Sequence, residues 1–372
     1  MRIGLEITGA LAGGGYRRYN ECLLQALAEV GPQHEYVVFG AYWRGFPERG
    51  DALRIPKLPN FRTEFRRLPQ CLLYPAEEYL GLRWHENFLE RLGVQVVHGL
   101  GTRTPPLERI PSTITLHFSG LWDFKGVWNK FYFEKLTERS VRQSAKIISI
   151  SEHCARECTK AWGTPNEKFA IIPYGGPEPH FAPSGRPPKD PPYFLFVGMT
   201  RPQKRPRLLV EAFCRMKARR PDLRHRLVFA GAPGEDQAWL EHRLEQTGMR
   251  MHADFLGLVP QDRVHTLFQD AYACVCPSTE EGFALPAAEA MACGTPVIGV
   301  NAGALPETIG EAGLLPAPDP DALADAMERV AMDPALRARL AERGLERVKL
   351  FSWQEAARRT LAVYEELLAG AR

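Results

Sequence analysis

Short apolar segments with the length of β-strands alternate in this sequence with longer segments of helical periodicity, and this alternation constrains the fold more than any other feature. The first unit contains strand Ile3–Ile7, a loop with Gly13-Gly14-Gly15, a helix from about Tyr16 to Val30 and strand Tyr36–Phe39. Strands joined through helices pair in parallel, because each helix returns the chain to the same end of the sheet. The alternation therefore predicts an α/β fold.

A segment rich in proline and glycine interrupts the alternation once. Residues 173–192 have the sequence PYGGPEPHFAPSGRPPKDPP, which cannot continue a helix or a central strand. Strand-length segments precede it at Val94–His98, Ser112–His117, Lys146–Ile150 and Ala170–Ile172, and follow it at Tyr193–Val197, Leu227–Ala230, Ala253–Leu256, Cys274–Cys276 and Pro296–Gly299. We therefore predict two Rossmann-like domains whose parallel sheets face each other across a cleft. The predicted boundaries are 1–176 for the first domain, 177–192 for the linker, 193–352 for the second domain and 353–372 for a C-terminal helix.

Charge and apolar patterning exclude several classes of protein. The net charge is +3, which is too small to indicate a nucleic-acid partner. The first residues lack the charged start and long apolar run of a signal peptide, and no apolar run approaches the ~18 residues of a membrane span. We therefore expect a cytoplasmic protein. Two close cysteine pairs, Cys154/Cys158 and Cys274/Cys276, are interpreted as buried reduced thiols, with a metal or redox role as the alternative.

The stretch Pro277–Gly299, PSTEEGFALPAAEAMACGTPVIG, carries the strongest indication of chemistry. It follows a predicted strand and enters a helix near Pro286, a residue type suited to the first helical turn. A helix start presents backbone N–H groups and the positive end of the helix dipole, which together bind phosphate. Glu281 precedes this start and Glu289 follows it by about one turn, so both carboxylates are expected beside the same ligand. The alternative is a capped helix with surface acids.

This stretch resembles the donor-binding sequence of glycosyltransferase family 4, also called glycosyl transferases group 1, whose members have the GT-B fold. Four further segments resemble the same family: SAKIISISEHCARE, YFLFVGMTRPQKRPRLLVEAF, NAGALPETIGEAGLLPAPDP and FSWQEAARRTLAVYEELL. The resemblance therefore extends over nearly the whole chain. It implies two Rossmann-like domains and a C-terminal helix that returns toward the first domain.

The resemblance also implies roles for the residues of the donor-binding stretch. Glu289 would bind the ribose of the nucleotide, and Glu281 would contact the transferred sugar. The segment between them would contact sugar and phosphate, largely through backbone amides, with Gly282, Phe283, Ala284 and Leu285. The family usually has glycine where this chain has Ala284, so the sugar pocket is expected to differ here.

Lys204 lies in the loop after strand Tyr193–Val197, where the resemblance implies a cation that neutralises the diphosphate as it leaves. The family often has an arginine just before this lysine, and this chain has Gln203 there. We expect Arg201 to substitute for it, with a solvated basic loop as the alternative.

The resemblance adds candidate residues in both domains. Leu258 and Val259 correspond to the region that holds the nucleobase, with packing inside the domain as the alternative. Gly14 and Gly15 would approach the donor phosphates or the acceptor, although an ordinary turn has the same composition. His117 would touch the transferred sugar and help to organise the reaction, and a core histidine is the alternative.

These features predict a retaining glycosyltransferase that moves a hexose of mannose or glucose type from a nucleotide-diphosphate sugar to a hydroxyl of a glycan or lipid-linked acceptor. The resemblance implies front-face attack, in which the departing phosphate takes the acceptor's proton, with His117, Lys204 and Glu281 as catalytic residues. No metal or other cofactor is expected, since the Asp319-Pro320-Asp321 sequence lies at a helix start and suits capping. The alternatives are a nucleotide-sugar epimerase of the same fold and a non-catalytic relative that binds nucleotide sugars.

Two aromatic and basic stretches are candidates for peripheral contact with the inner face of a membrane. One is Phe61–Leu92, which contains Arg66, Arg67, Leu72, Leu73, Tyr74 and Trp84, and the other is Trp122–Lys135. Interfacial helices combine basic and large apolar residues in this way. Helices packed on a sheet do so too, and packing is the interpretation we favour from the sequence.

Overall fold

The computed structural model describes residues 1–8, 14–41, 53–117 and 127–370, with side chains except at 70–71, 127–133 and 261. The chain divides into two compact units, Met1–Gly175 together with Ser352–Arg372, and Gly176–Phe351. Each unit contains one parallel sheet with helices. The predicted class, α/β with two Rossmann-like domains, is therefore confirmed.

The sheet of the first unit has, in the part of the chain described, seven parallel strands in the order β3-β2-β1-β4-β5-β6-β7. The strands are β1 (Arg2–Glu6), β2 (Glu35–Ala41), β3 (Phe61–Arg66), β4 (Val96–Gly99), β5 (Ser112–Leu116), β6 (Lys146–Ser149) and β7 (Phe169–Ile171). Central strands such as β1 and β5 are buried along almost their whole length, as parallel strands with helices on both sides must be. Their carboxyl ends, at Glu6 and Leu116, meet at one edge of the sheet.

The helices of the first unit follow the strands. They are α1 (Gly14–Val30), α2 (Gln70–Leu80), α3 (Trp84–Arg91), α4 (Val127–Gln143) and α5 (Glu152–Trp162), and the final helix α13 (Trp353–Gly370) joins them. The ends of α5 have local causes. Ser151 accepts a hydrogen bond from the N–H of Cys154 at its start, and Gly163 takes a left-handed conformation after its end.

The C-terminal helix α13 packs on α1 in the first unit, which fits the return implied by the resemblance. Tyr364 Oη lies 2.6 Å from His98 Nδ1, and His98 Nε2 lies 2.7 Å from Thr115 Oγ1, so this contact reaches the centre of the sheet. At the start of the helix, the ring of Trp353 lies against the backbone of Gly175. A Cβ at residue 175 would be 2.2 Å from that ring, so glycine is required there.

The sheet of the second unit has six parallel strands in the order β10-β9-β8-β11-β12-β13 among the described residues. The strands are β8 (Tyr193–Val197), β9 (Arg226–Ala230), β10 (Ala253–Phe255), β11 (Ala273–Cys276), β12 (Val297–Gly299) and β13 (Gly313–Leu314). The helices are α6 (Pro206–Arg219), α7 (Gln237–Gln246), α8 (Gln261–Asp270), α9 (Leu285–Ala292), α10 (Leu305–Ile309), α11 (Pro320–Met332) and α12 (Pro334–Val348). Asp319 caps α11, as predicted, by accepting hydrogen bonds from the N–H groups of Asp321 and Ala322.

Three features differ from the sequence-based expectation or add to it. β3, with the sequence FRTEFR, is an edge strand with several exposed side chains. Its charged residues make it indistinguishable, in the sequence, from the rest of the aromatic and basic stretch. β13 has only two residues and gives no periodicity. Residues 177–192, predicted as a linker, are part of the second unit, where Phe181 is buried against Phe268. Across the described ranges, no helix is long and apolar enough to cross a membrane.

Candidate functional site

The strands β8 and β11 are parallel neighbours in the second sheet, and their carboxyl ends carry the two loops with the predicted donor residues. The loop after β8 contains Arg201 and the 3₁₀ turn Pro202–Lys204. The loop after β11 contains Glu281 and leads into α9. Ligands of open parallel sheets bind at this edge. The topology thus brings Lys204 and Glu281 together although 77 positions separate them in the sequence.

Lys204 and Glu281 form an ion pair, with 2.6 Å between Lys204 Nζ and Glu281 Oε1. The side chain of Lys204 is 35% exposed and that of Glu281 is 14% exposed, so the pair is partly shielded from water. Burial by itself would lower the pKa of Lys204, but the carboxylate of Glu281 outweighs burial and the pKa lies above its ordinary value. Lys204 is therefore a cation at physiological pH, and Glu281 supplies its counter-charge.

The ion pair lines a cavity at this edge of the sheet. Cys276 and Ala284 also line it, as do Phe196 and Val197 at the end of β8. A few polar groups among apolar walls are typical of a small-molecule site. The cavity therefore joins the two loops into one candidate site.

A buried hydrogen bond connects the loop of Lys204 with the loop of Glu281. Ser278, only 2% exposed, donates its hydroxyl to the backbone carbonyl of Gln203 over 2.9 Å. The residue next to Lys204 is thereby fixed to the segment that leads to Glu281. Sequence reasoning missed Ser278, because nothing local marks a partner 75 positions away.

The segment after β12 supports the backbone of the donor loop from the other side. The N–H of Ala304 donates to the carbonyl of Glu281 over 3.0 Å, and Thr308 donates its hydroxyl to the carbonyl of Phe283. Gly303, at φ 60°, lies so close that a Cβ would be 2.9 Å from the carbonyl oxygen of Thr279. The sequence NAGALPET carried part of the resemblance without an assigned role, and the structure shows that it positions the backbone around Glu281.

Helix α9 begins at the cavity. Its N-cap residue, Ala284, has left-handed backbone angles of φ 63° and ψ 63° and cannot cap the helix with its methyl group. Pro286 lies in the first turn, as predicted, and lines the cavity with Ala284. The positive end of the helix dipole therefore points toward the place where Lys204 adds a full positive charge.

Glu289 is located differently from Glu281. It lies in the second turn of α9, is 5% exposed, and is not among the described residues that line the cavity. Burial, with the Glu289 carboxylate as second cause, raises the pKa of Cys293 to about 12, so the carboxylate is near buried thiols. Its contact with a ribose stays a prediction.

The remaining candidates of the second unit are accessible. Arg201 is exposed in the loop before Lys204. Leu258 is 82% exposed and Val259 is half-buried, so packing does not account for Leu258. The N–H of Gly231, after β9, donates to the carbonyl of Gly257, which links the loop of Leu258 to the neighbouring loop at the carboxyl edge. These positions permit the predicted roles of Arg201 and Leu258 and do not test them.

In the first unit, His117 follows β5 and is 5% exposed. Its Nε2 donates to the carbonyl of Leu100 over 2.8 Å, since a carbonyl can only accept, and its Nδ1 therefore accepts from the hydroxyl of Tyr174 over 2.7 Å. Burial lowers the pKa of His117 to about 3, so the ring is neutral. Both ring nitrogens are used within the protein, and contact of His117 with a sugar stays a prediction.

Other predicted features have limited structural description. Gly14 and Gly15 form the start of α1, whereas Gly13 lies outside the described residues. Most of the stretch Trp122–Lys135 has no described side chains. Among the side chains that are described, no group of three or more His, Cys, Asp or Glu is arranged to hold a metal ion.

Two family models match consecutive parts of this chain. The model of Glycosyltransferase Family 4 matches residues 13–175, and the model of Glycosyl transferases group 1 matches residues 178–347. The first match falls in the first unit, and the second falls in the unit that contains Lys204 and Glu281. Together they cover nearly the whole sequence.

Individual relatives carry related names. The chain is 37% identical over 200 residues to a D-inositol 3-phosphate glycosyltransferase of Nocardioides sp., a match that covers 50% of this chain and only 44% of that protein. It is 28% identical to the MMP alpha-(1->4)-mannosyltransferase of Mycolicibacterium hassiacum, over 96% of this chain and 95% of that protein. The crystal structure of Anabaena HepE in complex with UDP-glucose has the same fold, with a TM-score of 0.71 and 17% identity over 98% and 100% of the two chains.

Ala284→Gly tests the strain at the start of α9. An alanine in the left-handed region costs about 1–2 kcal/mol, and glycine does not carry this cost. We expect the substitution to raise the free energy of unfolding of the second unit by about 1 kcal/mol, measured by urea titration.

Ala287→Gly in the same helix is the matched control, because its backbone is helical and the change should destabilise by about 1 kcal/mol. Equal destabilisation by the two substitutions would contradict the strain at Ala284.

Proposed function

This chain belongs to the group 1 glycosyltransferases of family 4, and we propose that it transfers a hexose, with retention of anomeric configuration, from a nucleotide-diphosphate sugar to a hydroxyl of a glycan or lipid-linked acceptor. The proposed donor site is the cavity at the carboxyl ends of β8 and β11. The observation that carries the proposal is the ion pair of Lys204 and Glu281 beside the start of α9. The cytoplasmic location expected from the sequence stays a prediction.

The charges of this cavity match the two parts of a nucleotide sugar. The ammonium group of Lys204 and the positive end of α9 attract a diphosphate. The carboxylate of Glu281 accepts hydrogen bonds, which suits the hydroxyls of a sugar. In the proposed complex the phosphate replaces Glu281 as the partner of Lys204, and Glu281 turns to the sugar. The same short contact thus keeps both groups oriented before they act.

The proposed reaction forms a bond between the acceptor oxygen and the anomeric carbon while the bond from that carbon to the phosphate oxygen breaks. The electron pair of the broken bond goes to the leaving diphosphate, and the acceptor's proton follows it. Lys204 stabilises this growing charge, which is often the largest catalytic contribution. His117 does not take the proton in this scheme, because both of its nitrogens are bonded and burial holds its pKa at about 3.

The names of relatives and the residues around the cavity bear on the identity of the hexose and of the nucleotide. The Mycolicibacterium relative is named as a mannosyltransferase, and the Anabaena structure contains UDP-glucose, which support a hexose on a nucleoside diphosphate. The exposed Leu258 offers an apolar surface for a base, Arg201 offers a second cation for the diphosphate, and Glu289 is retained as the proposed ribose ligand.

A surface of the first unit supports a lipid-linked acceptor. Leu72 and Tyr79 lie seven positions apart, on one face of α2, and the turn into α3 follows them. Five large apolar side chains of this surface are from 37% to 75% exposed: Leu72, Tyr79, Leu80, Leu82 and Trp84. The packing interpretation thus holds for the buried Tyr74 and fails for these residues. Arg66 and Arg83 are also exposed in this segment, each paired with glutamate, so the surface combines large apolar and basic side chains as interfacial helices do.

Lys204→Ala tests the proposed chemistry. We expect kcat for sugar transfer to fall about 100-fold with a smaller change in KM for the donor, because the charge on the diphosphate is largest in the transition state. The matched control is Lys349→Ala, whose side chain is 65% exposed and pairs with Glu346 elsewhere in the unit.

The assay incubates a panel of nucleotide sugars with candidate acceptors and determines the anomeric configuration of the product by NMR. An unchanged rate in Lys204→Ala, or an inverted product, would refute the mechanism. Release of an epimerised free sugar would instead identify an epimerase.

The double substitution Tyr79→Ser and Leu80→Ser tests the proposed membrane surface. We expect the wild-type chain to sediment with phosphatidylglycerol vesicles and the variant to lose at least tenfold in binding, because each removed apolar side chain weakens insertion by about 1–2 kcal/mol. Met251→Ser with Leu256→Ser, at exposed apolar positions of the second unit, is the control. Equal binding by both double variants would argue against this surface.

A further inference from the structure

Two cysteines of β11 lie directly behind the proposed donor cavity. Cys274 and Cys276 are two positions apart on one strand and therefore share a face of the sheet, with 3.9 Å between their Sγ atoms. Cys276 is 9% exposed and lines the cavity with Lys204 and Glu281, whereas Cys274 is fully buried. The pair thus has one cysteine at the cavity wall and one cysteine behind it.

The surroundings make the two sulfurs unequal. Cys276 lines the cavity together with Lys204 and Glu281. Cys274 lies next to Cys276 in a buried place, and the hydrogen bond between the two thiols together with burial raises the pKa of Cys274 well above its ordinary value. Cys276 lies at the cavity wall and Cys274 behind it, so Cys276 is the sulfur that meets an oxidant first, and Cys274 retains its proton at that stage.

We propose that Cys276 and Cys274 form an oxidation-sensitive dithiol that reduces nucleotide binding when a peroxide converts it to a disulfide. In the first step the Cys276 sulfur attacks the peroxide, the O–O bond breaks, and a sulfenic acid and one water form. In the second step the Cys274 sulfur attacks the sulfenic sulfur, the S–O bond breaks, and the Cys274 proton leaves with the hydroxyl as a second water. Hydrogen peroxide is the oxidant that the two steps require.

Residues two positions apart on an extended strand have Cα atoms about 6.6 Å apart, longer than the ~5.5–6 Å usual for a disulfide, so we expect the disulfide to bend the end of β11. The two sulfur atoms have to approach from 3.9 Å to about 2.05 Å. Pro277 and Ser278 follow directly, and Ser278 is bonded to the carbonyl of Gln203 beside Lys204. A shift of this strand end therefore disturbs the loop of Lys204. This consequence rests on the proposed function, whereas the chemistry of the sulfurs does not.

The chain contains its own control pair. Cys154 and Cys158 lie on α5 in the first unit, both are buried, and they do not line the cavity described. Burial raises the pKa of Cys158 to about 11. If burial and proximity along the chain were sufficient for oxidation, this pair would react as readily as Cys274 and Cys276.

The test oxidises the full chain with one equivalent of hydrogen peroxide, alkylates the remaining thiols and maps the peptides by mass spectrometry. We expect the peptide with Cys274 and Cys276 to lose two hydrogens and both alkylation sites, while Cys154 and Cys158 stay alkylated. Dithiothreitol should reverse the change. In Cys274→Ser the reaction should stop at a sulfenic acid on Cys276 that dimedone traps, and neither Cys276→Ser nor Cys276→Ala should react.

Calorimetry with UDP, GDP and ADP gives the second readout. We expect the oxidised chain to bind the preferred nucleotide at least about tenfold more weakly than the reduced chain, and that nucleotide to slow the oxidation. Equal oxidation of the α5 pair, or full nucleotide affinity after the disulfide has formed, would overturn the proposal. A reduced chain that binds no nucleotide would contradict the proposed function, while the peptide map would still decide the sulfur chemistry.

Discussion

The parallel pairing of β8 with β11 is the constraint on which the candidate site depends. Because the two strands run in the same direction, their carboxyl ends reach the same edge, and the loops that follow them meet there. Lys204 and Glu281 approach to 2.6 Å as a result. The hydrogen bond of Ser278 and the contact of Ala304 then fix the backbone on both sides of this pair. A different strand order would separate the two charges.

The ion pair also sets the electrostatic state of the site. A lysine in a partly apolar cavity is stabilised as a cation by a nearby carboxylate. A diphosphate carries more negative charge than one carboxylate, so it can compete for Lys204 at the start of α9. The site for the proposed donor therefore already exists, because the diphosphate takes the place of Glu281 as the partner of Lys204.

Much of this arrangement follows from the sequence, and the rest does not for identifiable reasons. One continuous sequence pattern contains strand β11, the glycine-containing loop and the start of α9, so Glu281 can be located from local sequence. The bonds from Ser278 to Gln203 and from Thr308 to Phe283 connect segments 75 and 25 positions apart, and no local pattern encodes them. His117 can be located from the sequence because it ends the apolar segment Ser112–His117, but its bond to Tyr174 connects residues 57 positions apart.

The central claim is that Lys204 exchanges Glu281 for a diphosphate, and calorimetric titration with UDP, GDP and ADP on the wild type and on Glu281→Gln tests it most directly. The amide has no charge with which to compete for Lys204. The account therefore predicts that one of the three nucleotides binds the wild type and binds Glu281→Gln several-fold more tightly. Equal or weaker binding by Glu281→Gln would contradict the exchange, and with it the role of the ion pair in the donor site.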